Sequence, residues 1–264
     1  MKISRKVLQA ESVPETPLRR PELDILEMPY EGLAAYWLSL KKLLDEKQDT
    51  NFLLEEAAYT NEPYVRHLLE TAFSALDEER AVRLGKARQD ILLEGYRRRF
   101  ACMRTAVRAI IEAESPRLSL IRMLSHFPAP PIPEAKAAEL AQSLLRGLAM
   151  PDADKAVLLE IDSRTKADRL MVKLMAYVTL GRKEGRDGCR GLLPYARAYL
   201  LLEGLSLAAD GFDAPFVDAH METLARTLLD ETRRKMDMSL ELCRSIRAEF
   251  DYETLYLVAR AYIP

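Results

Sequence analysis

Apolar residues recur at helical spacing along nearly the whole chain from residue 31 onward. The segment 31–47 places four large apolar residues on one face of a helix: Leu33, Trp37, Leu40 and Leu44. The clearest pattern covers residues 78–114, where one face carries Val82, Leu93, Tyr96, Phe100, Met103, Val107, Ile110 and Ile111. At the usual rise per residue, this pattern predicts a helix roughly 55 Å long.

The chain shows no alternation of apolar and polar residues long enough to predict a β-strand. It also shows no repeat of fixed length, which argues against a repeat solenoid. The pattern therefore predicts an all-α fold, a multi-helical bundle-like or orthogonal array of about ten helices that includes the long helix near 78–114 and contains no sheet.

Prolines divide the chain into predicted units. Residues 1–30 contain four prolines and no sustained period, which indicates an extended arm, either loose or lying across the folded body. The sequence PAPPIP at 128–133 cannot continue a helix and is predicted to be an extended linker. The linker would separate an N-terminal helical subdomain, 31–127, from a C-terminal helical subdomain, 134–264.

Two segments of the C-terminal half have unusual patterns. Residues 192–209 are apolar almost all round, which is typical of a central, buried helix. Residues 230–237 lie within a long helical region but lose the apolar stripe. We expect a kink or an exposed stretch there.

Composition narrows the classes of function. The net charge is -2, so the chain as a whole would not attract nucleic acid or an anionic membrane. The three cysteines are far apart and do not form a disulfide framework, which favours a cytoplasmic location. Charges interrupt every apolar stretch before it reaches the length of a membrane span, so we expect no membrane partner.

Familiar catalytic and cofactor motifs are missing from the sequence. It contains no Glu-x-x-His pair, clustered zinc ligands, P-loop, dinucleotide fingerprint or nucleophile elbow. Asp218 and Glu222 share a helix face, but His220 points away from both, so these three residues cannot bind one metal ion together. We therefore expect no cofactor and no metal, and favour a protein without enzymatic activity.

Basic residues are concentrated in the predicted long helix. Between positions 80 and 108, nine lysines and arginines face only two acidic residues. Arg97, Arg104 and Arg108 form one stripe beside the apolar face. This stripe fits a solvated or salt-bridged surface best, an acidic protein partner second, and nucleic acid least, because the aromatic residues nearby lie on the core side.

A glycine-rich segment, 181–191, precedes the apolar stretch 192–209. Gly181 is predicted to end one helix as a C-terminal cap, and the next helix would start near Pro194. Arg186, Arg190 and Arg197 are the candidate ligands for an anion at that helix start. Arg197 would lie in a nearly uncharged helix and needs a partner, either a carboxylate of the protein or a ligand anion.

These patterns lead to three functional hypotheses. The first is a cytoplasmic helical interaction or regulatory protein, binding another protein of acidic character or a second copy of itself. The second is a binder or enzyme for an anionic, phosphorylated small molecule at residues 181–197. The third and least favoured is nucleic-acid binding through the basic helix.

Overall fold

The computed structural model describes residues 23–47 and 51–264, without the side chains of Asn51, Leu54, Arg186 and Asp187. The described residues form eleven α-helices and one short 3₁₀ helix. Their bounds are α1 Tyr30–Lys47, α2 Asn51–Tyr59, α3 Pro63–Ala72, α4 Glu78–Ile111, α5 Pro116–Leu124, α6 Glu134–Leu148, α7 Lys155–Leu159, α8 Ala167–Leu192, the 3₁₀ helix Leu193–Tyr195, α9 Tyr199–Asp210, α10 Ala214–Arg247 and α11 Tyr252–Arg260.

The predicted all-α fold is confirmed, and so is the long helix near 78–114. Within the two described ranges there is no β-strand, and the only β-type pairing is an isolated parallel bridge between Ile161 and Ala196. Helix α4 begins where the Asp77 carboxylate accepts a hydrogen bond of 2.8 Å from the Arg80 N–H. It ends before Ala113, which has a positive φ of 50°.

Helix α4 lies at the centre of the molecule and contacts α3, α8, α9 and α10. Its buried face follows the predicted apolar stripe, and Val107 and Ala106 are completely buried. The hydrophobic core is continuous between helices that precede and follow residues 128–133. Those residues are non-helical, with Pro133 preceding α6. The division into subdomains at this linker stays a prediction.

The glycine-rich segment differs from its prediction. Gly181 does not end a helix; it lies inside α8, where an added Cβ would come within 2.6 Å of Ile110 Cγ2. The missing side chain lets α8 approach α4 closely. The helical path is broken at Gly185, whose φ of 62° and ψ of -137° suit glycine. The chain then folds back, so that a Cβ on Gly188 would lie 3.3 Å from the Gly181 Cα.

The apolar stretch 192–209 is also not one helix. Leu193–Tyr195 form the 3₁₀ helix, and α9 begins only at Tyr199. The residues between them pair with the chain before α8, because Ile161 donates its N–H to Tyr195 O at 2.9 Å and its carbonyl accepts from Arg197 N–H at 2.8 Å. This pairing joins residues distant in sequence, and it competes successfully with local helix formation.

Helix α10 has no break at 230–237, so the expected kink is wrong, whereas the alternative of an exposed stretch holds in part, at Asp230, Arg233 and Arg234. Within that stretch Thr232, Lys235 and Met236 are buried. The Lys235 ammonium donates hydrogen bonds to the carbonyls of Ile25 and Leu26, both at 3.3 Å. Polar residues can therefore occupy this part of α10 because another segment of backbone covers them.

That segment, residues 23–29, is the described part of the predicted arm, and we call it the strap. It lies across the folded body and inserts Ile25, which is 1% exposed, into the core. Tyr30, where α1 begins, donates a hydrogen bond of 2.7 Å to the Glu231 carboxylate. The strap thus connects the start of α1 with the middle of α10. The rest of the predicted arm, residues 1–22, lies outside the described residues.

Candidate functional site

The three arginines of the predicted partner-binding stripe all have carboxylate partners within the protein. Arg104 bridges α4 and α10, with its guanidinium 3.0 Å from the Asp218 carboxylate and 3.2 Å from that of Glu222. Within α4, Arg97 pairs with Glu94. Arg108, in the last turn of α4, pairs at 3.0 Å with Glu112, which directly follows the helix. Asp218 and Glu222, which we considered as metal ligands, therefore contact a cation. The role of the stripe in partner binding stays a prediction.

The three candidate anion ligands near the glycine-rich segment occupy different surroundings. The side chain of Arg186 lies outside the described residues. Arg190 is exposed in the last turn of α8, whereas Arg197 follows the 3₁₀ helix. The structure therefore does not place Arg190 and Arg197 together at one helix N-terminus. Their role in anion binding stays a prediction.

Arg197 is neither helical nor buried, contrary to the prediction that it lies in an apolar helix. Its side chain is 65% exposed, and its Nε lies 3.7 Å from the Glu160 carboxylate. A carboxylate of the protein therefore lies near Arg197, and the binding of a ligand anion there stays a prediction. An exposed ion pair contributes little to stability. This contact therefore explains the position of the Arg197 side chain, but it adds little to the free energy of unfolding.

A groove runs along the first two turns of α8, and we call it the α8 groove. One half lies between α6, α7 and α8 and encloses about 370 Å³. The other half lies between α7, the loop 160–166 and α8 and encloses about 410 Å³. Val157, Arg169 and Lys173 line both halves, so the two spaces adjoin each other.

The half beside α6 has an apolar floor. Its apolar lining residues are Ile132, Leu140, Leu144, Val157, Leu158 and Val172. Val157 is 71% exposed and Leu140 is 38% exposed, so part of this apolar surface faces solvent. In α6 itself, only Ala137 and Ala141 are buried. The apolar face of α6 is therefore only partly covered by the other described residues.

The half beside the loop 160–166 carries cations with different partners. Arg164 binds the strap through the Leu23 carbonyl and the Asp24 carboxylate. The Lys173 ammonium donates to two backbone carbonyls at the end of α7, and burial lowers its pKa. Lys166 and Arg169 are exposed, and their side chains form no hydrogen bond or ion pair with any described residue.

The carboxylates of the groove are mostly engaged. Glu160 pairs with Arg197, and Asp162 accepts hydrogen bonds from the Arg164 N–H at 3.1 Å and the Thr165 hydroxyl at 2.6 Å. Asp168 is exposed in the first turn of α8, where a negative charge is favourable. The positive charges of Lys166 and Arg169 therefore remain available to a ligand at the groove.

Sequence reasoning did not identify this groove, although part of it has a sequence pattern. Arg169 and Lys173 are spaced so that they lie on one side of α8, and Lys166 immediately precedes that helix. The leucines of α6 likewise recur at helical spacing. The pattern could have indicated two amphipathic helices, but not that their faces border one open groove, because α7 and the loop 160–166 complete it in space.

Two other kinds of site are not found in the described part of the chain. No group of three or more histidine, cysteine, aspartate or glutamate side chains there has an arrangement that could hold a metal ion. No helix over the same residues has the length and apolarity that crossing a membrane requires.

The three cysteines are all buried and unpaired, and burial raises the pKa of Cys102 and Cys243 to about 12. Their thiols are therefore neutral and inaccessible to a substrate in this conformation.

Comparison with known proteins gives no relative of this chain. No family model, no curated protein and no solved structure matches it.

Proposed function

We propose that this chain is a helical interaction protein without enzymatic activity, and that its α8 groove binds an acidic, amphipathic segment of another protein. One observation carries the proposal: an apolar floor that is open to solvent lies beside two cations that have no partner among the described residues. The proposal keeps the acidic protein partner expected from the sequence, but assigns it to a different surface.

The apolar floor supplies the main reason for binding. Exposed apolar side chains grouped in a concave surface favour association because a partner removes them from water. Leu140 and Val157 border the open side of the floor, while Val172 lies buried beneath it. A helix with apolar residues at three- and four-residue spacing fits such a groove between helices.

The cations supply specificity. Lys166 and Arg169 would attract glutamate or aspartate on the polar side of the bound segment and repel a basic one. The arginine stripe of α4 is less suited to this role, because a partner's carboxylates would have to compete with Glu94, Asp218, Glu222 and Glu112. A partner at the groove displaces no such contact of Lys166 or Arg169.

Fluorescence anisotropy with designed peptides tests the proposal. The probe is a labelled helix-forming peptide of glutamate and leucine in which the leucines share one face. Two control peptides have lysine in place of glutamate, or a shuffled order that distributes the leucines around the helix. We expect saturable binding of the first peptide, and binding at least about tenfold weaker for both controls.

Substitutions locate the binding surface. Val157→Asp places a charge on the apolar floor, and the pair Lys166→Glu and Arg169→Glu reverses the two cations. Each change should weaken binding by about tenfold or more, and the charge reversal should also reduce its dependence on salt. Arg97→Glu, on the α4 stripe, is the matched control and should bind as the wild type does.

Three outcomes contradict the proposal. Equal binding of the shuffled peptide would show that no groove reads the apolar face. Loss of binding in Arg97→Glu, without loss in the groove variants, would move the site to the α4 stripe. Saturable binding of inorganic phosphate or of an RNA oligonucleotide, with no binding of the acidic peptide, would favour one of the two other hypotheses.

A further inference from the structure

A buried carboxylate lies under the strap. Glu62 precedes α3 and is 3% exposed. One of its oxygens accepts a hydrogen bond from the Tyr64 N–H and the other accepts from the Ile25 N–H, each at 3.2 Å. The first contact caps α3, and the second binds the strap. One side chain therefore connects the strap directly to the core.

The charged groups around Glu62 do not neutralise it. On the strap, Asp24 carries a second negative charge; before α8, Arg164 supplies a weaker opposing effect; on α4, Tyr96 is neutral and buried. On α10, Lys235 contacts the strap carbonyls and not Glu62. No described residue forms an ion pair with the Glu62 carboxylate. Its ionised form is consequently buried with two N–H donors and no cation.

The strap also contacts the loop that borders the α8 groove. The Asp24 carboxylate accepts a hydrogen bond of 2.5 Å from the Ser163 hydroxyl and lies 3.5 Å from the Arg164 guanidinium. Arg164 also donates to the Leu23 carbonyl at 2.5 Å. A movement of the strap would therefore change the contacts that hold this loop in place. Since Arg164 also lines the groove, the border of the groove would change with it.

We propose that Glu62 controls the attachment of the strap: the strap stays bound while Glu62 is neutral, and ionisation of Glu62 favours its release together with the loop 162–165. The proposal is independent of any partner at the groove. It makes the border of the groove responsive to pH within the range found in cells.

The direction follows from the balance of burial against hydrogen bonding. Burial disfavours the ionised carboxylate more than the two N–H donors favour it, and this raises the pKa of Glu62 to about 7 from an ordinary value of 4.5. An acid with a raised pKa in the closed state binds its proton more tightly there, so protonation favours closure. The attachment is strongest below the ordinary pKa and weakens as the pH rises to about 7.

Hydrogen exchange of the strap amides, corrected for the intrinsic effect of pH, tests this inference. Between about pH 5.5 and 7.5, protection of the Ile25 amide in the wild-type protein should fall about 20-fold, the change given by the two pKa values. Glu62→Gln keeps an acceptor oxygen but cannot ionise, so its protection should not change over this range. Glu112→Gln, an exposed acid, should behave as the wild type does.

Asp24→Asn tests the link between the strap and the loop. This variant should keep a pH-dependent exchange of the strap, while the accompanying change in the amides of residues 162–165 should be smaller, because the ion pair with Arg164 is lost and the contact of Arg164 with the Leu23 carbonyl remains. In the wild-type protein both segments should change together, and the amides of α9 should not.

The inference is overturned if the Glu62→Gln protein shows the pH dependence of the wild type, or if protection of the strap rises with pH. If Glu62→Gln does not fold, the comparison of the strap with α9 within the wild-type protein decides the question. Equal pH responses of the two segments would then contradict a local effect of Glu62.

Discussion

The arginine stripe of α4 and the cationic half of the α8 groove contain similar residues in opposite situations. On α4, Arg104 contacts two carboxylates of α10, and the other two arginines of the stripe have acidic partners close in sequence. In the groove, Lys166 and Arg169 have no such partners within residues 23–47 and 51–264. Positive charge alone therefore does not identify a binding surface. Which cations are available to a partner depends on where the tertiary structure places carboxylates.

The packing of the two regions differs in the same way. The side of α8 that faces the core is closed, and Leu174 and Tyr177 there are completely buried. The side that borders the groove remains partly open. Substitutions that are equivalent in chemistry should therefore have unequal effects on the core-facing side of α8 and in the lining of the groove.

The largest expected difference is between Leu174 and Val157. Leu174→Ala should lower the free energy of unfolding by about 2–5 kcal/mol, because it removes buried methyl groups and leaves a cavity. Val157→Ala should change it by less than about 0.5 kcal/mol, since that side chain is 71% exposed. Urea unfolding measures both values. A large loss of stability in Val157→Ala would show that the groove is part of the core.

The next difference is between two glycines in helices. Gly181→Ala should destabilise the protein by about 1–2 kcal/mol, because the new methyl group would collide with the β-branched side chain of Ile110. Gly95→Ala should instead be stabilising by about 0.5–1 kcal/mol, since nothing lies within 4 Å of its Cβ position. Thermal unfolding of the two variants checks the signs. Equal signs would contradict the close approach of α8 to α4.

A smaller difference separates the paired and unpaired cations. Arg104→Met should lower stability by about 1 kcal/mol, because it removes a contact between α4 and α10 and leaves two carboxylates without their cation. Arg169→Met should change stability by less than about 0.5 kcal/mol. The difference should shrink at high salt in denaturant titrations. Equal losses at low salt would mean that Arg169 has a structural partner.

The final prediction concerns pH and global stability. Because the pKa of Glu62 is raised to about 7, its contribution to stability is fully present below about pH 4.5 and is lost as the pH rises through 7. Glu62→Gln should remove this part of the pH dependence. Unfolding midpoints measured across this range for both proteins would reveal it, whereas parallel curves would assign the pH dependence to other groups.

Local patterns predict the fold where they act over many turns. The apolar stripe of α4 persists for the whole helix, so its existence and length follow from helical periodicity alone. The conformation of the glycine-rich segment is harder to predict, because glycine occurs both at helix ends and at close contacts between helices. The position of Ile110 shows that Gly181 serves a contact, and the backbone angles of Gly185 show that the helix breaks there.

Prediction fails where distant segments decide the conformation. Arg197 has apolar neighbours typical of a buried helix, yet pairing with Ile161 keeps this stretch extended and exposes the arginine. The α8 groove and the environment of Glu62 likewise depend on segments that meet only in the folded protein. A charge pattern in sequence indicates which residues are basic, but not which carboxylates they contact.

The bridge between Ile161 and Ala196 has a consequence for chain connectivity. These residues lie on either side of α8, so the path into the helix and the path out of it run next to each other. The chain between them contains α8, returns to the point from which it left, and turns at exposed Gly185. A polypeptide cleaved at that turn should remain assembled, with each fragment still bound to the other.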